Sequence, residues 1–200
     1  MARLDRGFFE RRTPEVARAL LGNLVVHVVD GRRLSGRILE VEAYRGKDDP
    51  ASHAFKGRTG RNAVMFGEGG HAYIYFSYGS HWCLNVTTER PGAPGAVLIR
   101  AVEPVEGVAL MRKNRGSPPE RSLADGPGKL TRALGIDSTL NGEDMVTSER
   151  LFIETGEVPA RVGSSPRIGI TKGTDREWRF FIVGEASLSK RGTVPRRTHN

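Results

Sequence analysis

The connections between the strand-like segments of this chain constrain its fold most, because they are short. Residues 24–29 form a largely apolar run, and residues 34–44 read as a second strand whose end, 39–44, alternates in polarity. An Asp30-Gly31 turn joins them. Residues 73–78, 82–87 and 96–102 follow one another across tight turns at Tyr78-Gly79 and at 91–95. Turns of this kind link antiparallel strands in hairpins. Thr13-Pro14-Glu15 reads as a capped helix start, with Val16, Ala17, Leu20 and Leu21 as its apolar face and Gly22 as its stop. Residues 108–114 and 130–134 read as further helices, the latter ended by Gly135, and 151–153 and 180–183 as late strands. Runs of strands with segregated helices predict an α+β fold. The expectation is a single compact domain over 1–188, with a mostly antiparallel, curved sheet and peripheral helices. A flexible basic tail is expected over 189–200. The long loops at 45–70 and 114–128 are candidates for function.

Cys83 is the sole cysteine, which excludes an internal disulfide framework and a thiolate-rich zinc site. No run of about 18 apolar residues is present, so no membrane partner is expected. Met1 to Arg6 lacks the apolar core of a signal peptide, so a cytoplasmic place is expected, on the nucleoid in a bacterium. The net charge of +8 is unevenly spread. Segments 51–66, 111–135 and 189–200 together hold +11, and the remainder sums to −3. Concentration of this kind suggests a polyanion-binding face, although clustered, solvated side chains would give the same count.

Several familiar motifs fail. Gly128-Lys129 lacks the leading glycine of a phosphate-binding loop, since position 123 is Leu, and Leu130 stands where Ser or Thr would hold magnesium. Gly67-Glu68-Gly69-Gly70 is not a dinucleotide fingerprint, and no Gly-x-Ser-x-Gly elbow occurs. The five histidines show no i, i+4 spacing. Chemistry without metal or cofactor is expected.

Two clusters carry candidate chemistry. Within 34–44, Leu39, Val41 and Ala43 share one face and Glu40, Glu42 and Tyr44 the other. A solvated strand face carries the same alternation. A carboxylate beside a tyrosine at a strand end, before a long loop, also suits a cleft. Residues 73–82 hold Tyr73, Tyr75, Phe76, Tyr78, His81 and Trp82. They read either as aromatic cross-strand pairs or as a stacking pocket for a planar ligand, with an exposed turn aromatic available as a wedge between base pairs.

In order along the chain stand Glu42-Ala43-Tyr44, His53, Arg61-Asn62 before Met65-Phe66, Tyr73-Ile74-Tyr75, Tyr78-Gly79 and Asn85. The segments 98–104 and 126–130 follow. With these, the sequence closely resembles the alkyladenine (3-methyladenine) DNA glycosylase family from about Phe8 to Gly184. The resemblance implies release of damaged purines from double-stranded DNA by hydrolysis of the N-glycosidic bond. It implies Glu42 as the base that activates water, with Arg100 and the His53 backbone holding that water. It implies Tyr44, His53 and Tyr75 as the pocket that stacks the flipped base, Asn85 as a residue against the purine, and Tyr78 as the wedge. Ser80 and His81 follow the wedge and are expected at the DNA. Lys56, Arg58, Arg61 and Lys129 are then candidates for phosphate contacts. No lysine occupies a nucleophile position in these motifs, so no lyase step is expected. A monomer is adequate. Two other readings stand beside this one: a non-catalytic RNA- or ribosome-binding protein, and a glycoside hydrolase using Glu40 and Glu42 as a pair.

Overall fold

The computed structural model describes residues 1–77 and 79–189. Tyr78 and residues 190–200, expected as the wedge and the greater part of the basic tail, lie outside them. The order of elements is α1 (Arg6–Phe9), α2 (Thr13–Leu20), β1 (Leu24–Val29), β2 (Arg32–Tyr44), β3 (Ala72–Ser77), β4 (His81–Thr88), β5 (Gly95–Glu106), α3 (Val108–Arg115), α4 (Pro127–Leu134), β6 (Leu151–Glu154), β7 (Val162–Ser165) and β8 (Arg179–Ile182). The chain is an α+β domain around one curved antiparallel sheet.

The predicted hairpin between β1 and β2 is present. Asp30 and Gly31 both have positive φ (49° and 72°), the pairing that matches a two-residue turn to the twist of its strands. The main path of the sheet is β3-β4-β5-β2-β1-β6. Strand β2 is the longest and divides its outer edge between two partners. Arg32 to Arg37 pair with β1, and Glu40 to Glu42 pair with β8. Its other edge pairs with β5 throughout. The stretch that holds both glutamates is therefore flanked by a strand on each side.

Three register shifts interrupt the pairing of β2 with β5: one skips Val105 on β5 beside Ser35, and the other two fall around Glu40 and compensate each other. At these two, Leu39 is the extra residue on β2 and Arg100 the extra residue on β5. Bulges re-aim side chains. Here they reset the inward phase of both strands, so Leu39, Val41, Ala43, Val97 and Ile99 enter the core on one side of the shift and Val102 and Ile38 on the other. Helix α2 covers this core over β2 and β5, and α4 packs on β4 with α3 against it.

The termini of α2 and α4 differ from the sequence expectation in detail. Thr13 does not cap α2: its hydroxyl donates to Glu89 Oε1 at 2.8 Å, because β4 and its turn pass close enough to offer a carboxylate. Helix α4 begins at Pro127, which puts Lys129 in its first turn, and it ends at Gly135 with φ 69°. Ser189, assigned to the tail from its basic surroundings, is bonded into the domain instead.

Candidate active site

Glu42 is fully buried by β5 and β8, and its carboxylate is held by three donors. The Tyr44 hydroxyl donates to Oε2 at 2.8 Å and Arg100 Nη1 to the same oxygen at 3.1 Å. The backbone N–H of Ile168 donates to Oε1 at 2.7 Å. A carboxylate offers about four acceptor positions, two per oxygen. Among the described residues, both positions on Oε2 are used and one on Oε1 remains.

A cavity of about 900 Å³ opens on the other side of these donors. Tyr44, Arg100 and Ile168 all line it, and Glu42 lies one layer behind them. His53, Tyr73, Tyr75, Cys83 and Asn85 make up more of its wall. His53 Nδ1 lies 2.8 Å from the Tyr73 hydroxyl, and its ring meets Tyr75 edge-on at 4.6 Å between centroids. Tyr73 and Tyr75 are 5.4 Å apart and tilted. Asn85 Nδ2 donates to the Tyr73 carbonyl at 2.9 Å, which fixes the amide against the strand. Asn62, also buried, donates to the carbonyls of His53 and Gly57 and accepts from the Thr59 N–H, so one side chain shapes the loop that presents His53.

Burial, then the charge of Glu42, holds the Tyr44 hydroxyl well above its ordinary pKa. Burial pushes Tyr73 up to about 12 and raises Tyr75 as well, so all three phenols remain neutral donors. Loss of water around its ring, then the charge of Arg61, lowers His53, although the residue stays open to solvent through the cavity mouth. Burial raises the Cys83 thiol, which keeps it protonated and a poor nucleophile.

Glu40 stands apart from the cavity. Its Oε1 accepts from Arg100 Nε at 2.9 Å, Arg179 Nε at 2.7 Å and the Ser189 hydroxyl at 2.7 Å, and its Oε2 accepts from the Ser189 N–H at 2.7 Å. Burial alone would raise its pKa, but the bond from Arg179 and the charges of Arg100 and Arg179 outweigh this and hold it below the ordinary value. A carboxylate so completely engaged is not available as one of a glycosidase pair.

The expected DNA contacts are distributed unevenly. Arg61 and His81 line the cavity rim. Arg61 lies 5.2 Å over the Tyr75 ring. The Ser80 hydroxyl is 2.7 Å from His81 Nδ1, and the His81 ring packs where a Cβ on Gly128 would stand. Lys56 and Arg58 are exposed on the loop beside His53. Lys129 Nζ is 2.7 Å from Asp125 Oδ1, so its charge is already partly met within the protein. Among the described residues no group of three or more His, Cys, Asp or Glu could hold a metal ion.

Sequence reasoning missed one whole wall. Residues 168–172 line the cavity, and the exposed Lys172 among them brings an amine to its rim. Arg167 anchors this wall from behind. It pairs bidentately with Asp49 at 2.6 and 2.7 Å, donates to the Ala43 carbonyl at 2.8 Å, and lies 4.6 Å over the ring of Tyr44. It thereby joins the end of β2, the loop of His53 and the wall of Ile168.

Residues 7–186 match the family described as methylpurine-DNA glycosylase (MPG). The chain belongs to the methylpurine-DNA glycosylase family. It is 48% identical over 192 residues to a protein of Chlorobaculum tepidum, covering 95% of this chain and 92% of the relative. A Methanocella arvoryzae relative is 46% identical, with 94% and 96% covered, and one from Burkholderia lata is 45% identical, with 97% and 93% covered. All three bear the name "Putative 3-methyladenine DNA glycosylase". Family membership covers both Glu42 and the late wall of residues 168–172, so the cavity belongs wholly to the shared domain.

Proposed function

We propose that this chain is a monofunctional DNA glycosylase of base excision repair. It flips alkylated or deaminated purines out of duplex DNA and hydrolyses the N-glycosidic bond, leaving an abasic site. It acts as a monomer and without a cofactor. The observation that carries the reading is the buried Glu42 carboxylate, held by Tyr44, Arg100 and Ile168 behind an aromatic cavity, with one acceptor position on Oε1 left by the described residues.

The flipped purine stacks against Tyr44, His53 and Tyr75, a contribution of about 1–3 kcal/mol per base that offsets the few kcal/mol of unstacking. Asn85 lies against its edge and disfavours guanine through the exocyclic amino group. Tyr78 fills the vacated gap. A water at Glu42 must pass between Tyr44, Arg100 and Ile168. Glu42 takes its proton as the oxygen attacks C1′, and the electron pair of the broken C1′–N bond leaves with the base. The Glu42 anion also stabilises the positive charge that develops on the sugar. Lys56, Arg58, Arg61, Ser80, His81 and Lys129 face the DNA, and Lys172 joins them from the late wall.

No observation favours a non-catalytic RNA- or ribosome-binding role, which leaves a triply bonded, buried Glu42 without a purpose. The test is incubation of the full chain with duplexes that carry hypoxanthine, ethenoadenine or methylated purines, followed by alkali. Strand cleavage at the lesion is expected. Intact strands on every substrate would overturn the reading.

A further inference from the structure

Glu40 is as deeply buried as Glu42, sits on the same strand face and does not reach the cavity. The link between them is Arg100, whose Nε donates to Glu40 and whose Nη1 donates to Glu42. A guanidinium is planar and rigid, so these two bonds fix each other: turning Arg100 away from one carboxylate takes it from the other. Ser189 closes the arrangement. Its N–H and hydroxyl donate to the two oxygens of Glu40, and the same hydroxyl accepts from Arg100 Nε at 3.3 Å and Nη2 at 3.2 Å. Arg179 supplies a second cation to Glu40 and is itself bonded to the Ser165 hydroxyl.

We propose that Glu40 and Ser189 are positioning residues of the reaction: Ser189 locks the Glu40 carboxylate, and Glu40 holds Arg100 in the one orientation that grips Glu42. The inference rests on the glycosylase reading and extends it to a part of the chain that composition assigns to a basic tail. Two physical consequences follow from the arrangement. Glu40 meets the charge of Arg100 and Arg179, so among the described residues the buried cluster comprises two anions and two cations. Without Glu40, two guanidinium groups would oppose the positive charge developing at C1′ with only Glu42 against them. Without the Ser189 hydroxyl, Arg100 loses an acceptor and Glu40 a donor, and all three groups are buried. Neither residue touches the base, so the loss falls on the chemical step and leaves lesion recognition alone.

The experiment compares the full chain with its Ser189→Ala and Glu40→Gln variants. Single-turnover release of hypoxanthine or a methylated purine is measured beside equilibrium binding of the same lesion duplex at matched salt. Circular dichroism confirms that each variant is folded at the assay temperature. The expected result is a rate lowered about tenfold by Ser189→Ala and about a hundredfold by Glu40→Gln, with affinity within about twofold of the unaltered chain. If Glu40→Gln does not fold, the Ser189→Ala comparison decides. Wild-type rates in the folded variants, or a parallel loss of rate and affinity, would overturn the proposal while the glycosylase reading stands. An unaltered chain that releases no base would overturn both.

Discussion

The Tyr44 hydroxyl donates to Glu42 Oε2 at 2.8 Å, so the ring proposed to stack the base is also bonded to the carboxylate proposed to activate water. Two side chains two residues apart on β2 thus couple recognition to chemistry. Tyr44→Phe separates the two roles. It keeps the ring and removes the donor, and a hydrogen bond to a charged group contributes about 1.5–3 kcal/mol. We expect lesion binding to persist and single-turnover excision to fall at least about tenfold. An unchanged excision rate would show that the hydroxyl does not orient Glu42.

Asp49 and Arg167 are both buried, and the guanidinium lies 4.6 Å over the ring of Tyr44 and 5.3 Å over that of Trp178. Removal of one partner leaves the other charge buried without compensation, at a cost of about 3–5 kcal/mol. Asp49→Asn is therefore expected to lower the denaturation midpoint in urea strongly. It should also weaken lesion binding, since Tyr44 and the wall at Ile168 lose their shared anchor. A midpoint close to that of the unaltered chain would contradict the anchoring role.

His27 is buried on β1 with Nδ1 2.8 Å from the Leu134 carbonyl, and burial lowers its pKa below 6.5 despite that bond. The unfolded chain then binds a proton at a higher pH than the folded one. Stability attributable to this residue is complete above about 6.5 and declines as the pH falls through the window between that value and the lowered one. His27→Gln should flatten this part of the curve of unfolding free energy against pH. An equally steep decline in the variant would assign the effect to other groups.

Among the described residues that line the cavity, Lys172 is the one lysine, and it bears on a lyase step. A Schiff base with the sugar would be trapped by borohydride as a covalent protein–DNA complex. The monofunctional reading predicts no trapped complex on a lesion duplex. A complex that vanishes in Lys172→Ala would instead make Lys172 a nucleophile.

The sheet was legible because it depends on local pattern, whereas the expected site residues came from the family resemblance. Alternation over 39–44 separates Leu39, Val41 and Ala43 from Glu42 and Tyr44, and Asp30-Gly31 marks the hairpin through the backbone it permits. The ordered set from Glu42 to Asn85 lies on β2, the His53 loop, β3 and β4, whose own turns bring it together. The rest of the site depends on contacts between distant segments. Asp49 and Arg167 are 118 residues apart, and the wall at 168–172 lies in a stretch without periodicity. The burial of Glu40 and Glu42 required β8 on the free edge of β2, which no local feature near either residue announces. The register shifts at Leu39 and Arg100 carry no glycine to mark them. Ser189 was hidden by the basic residues that follow it, since charge composition says nothing about one hydroxyl and one N–H.

If Glu42 activates the attacking water, Glu42→Gln removes that activation and little else. The amide keeps the volume and can still accept from Tyr44 or Arg100, but it cannot take a proton. General-base catalysis contributes about 10²–10⁴-fold. Single-turnover excision of hypoxanthine or a methylated purine should therefore fall at least about a hundredfold, while affinity for the lesion duplex is retained. Excision by Glu42→Gln at a rate near that of the unaltered chain would contradict the account.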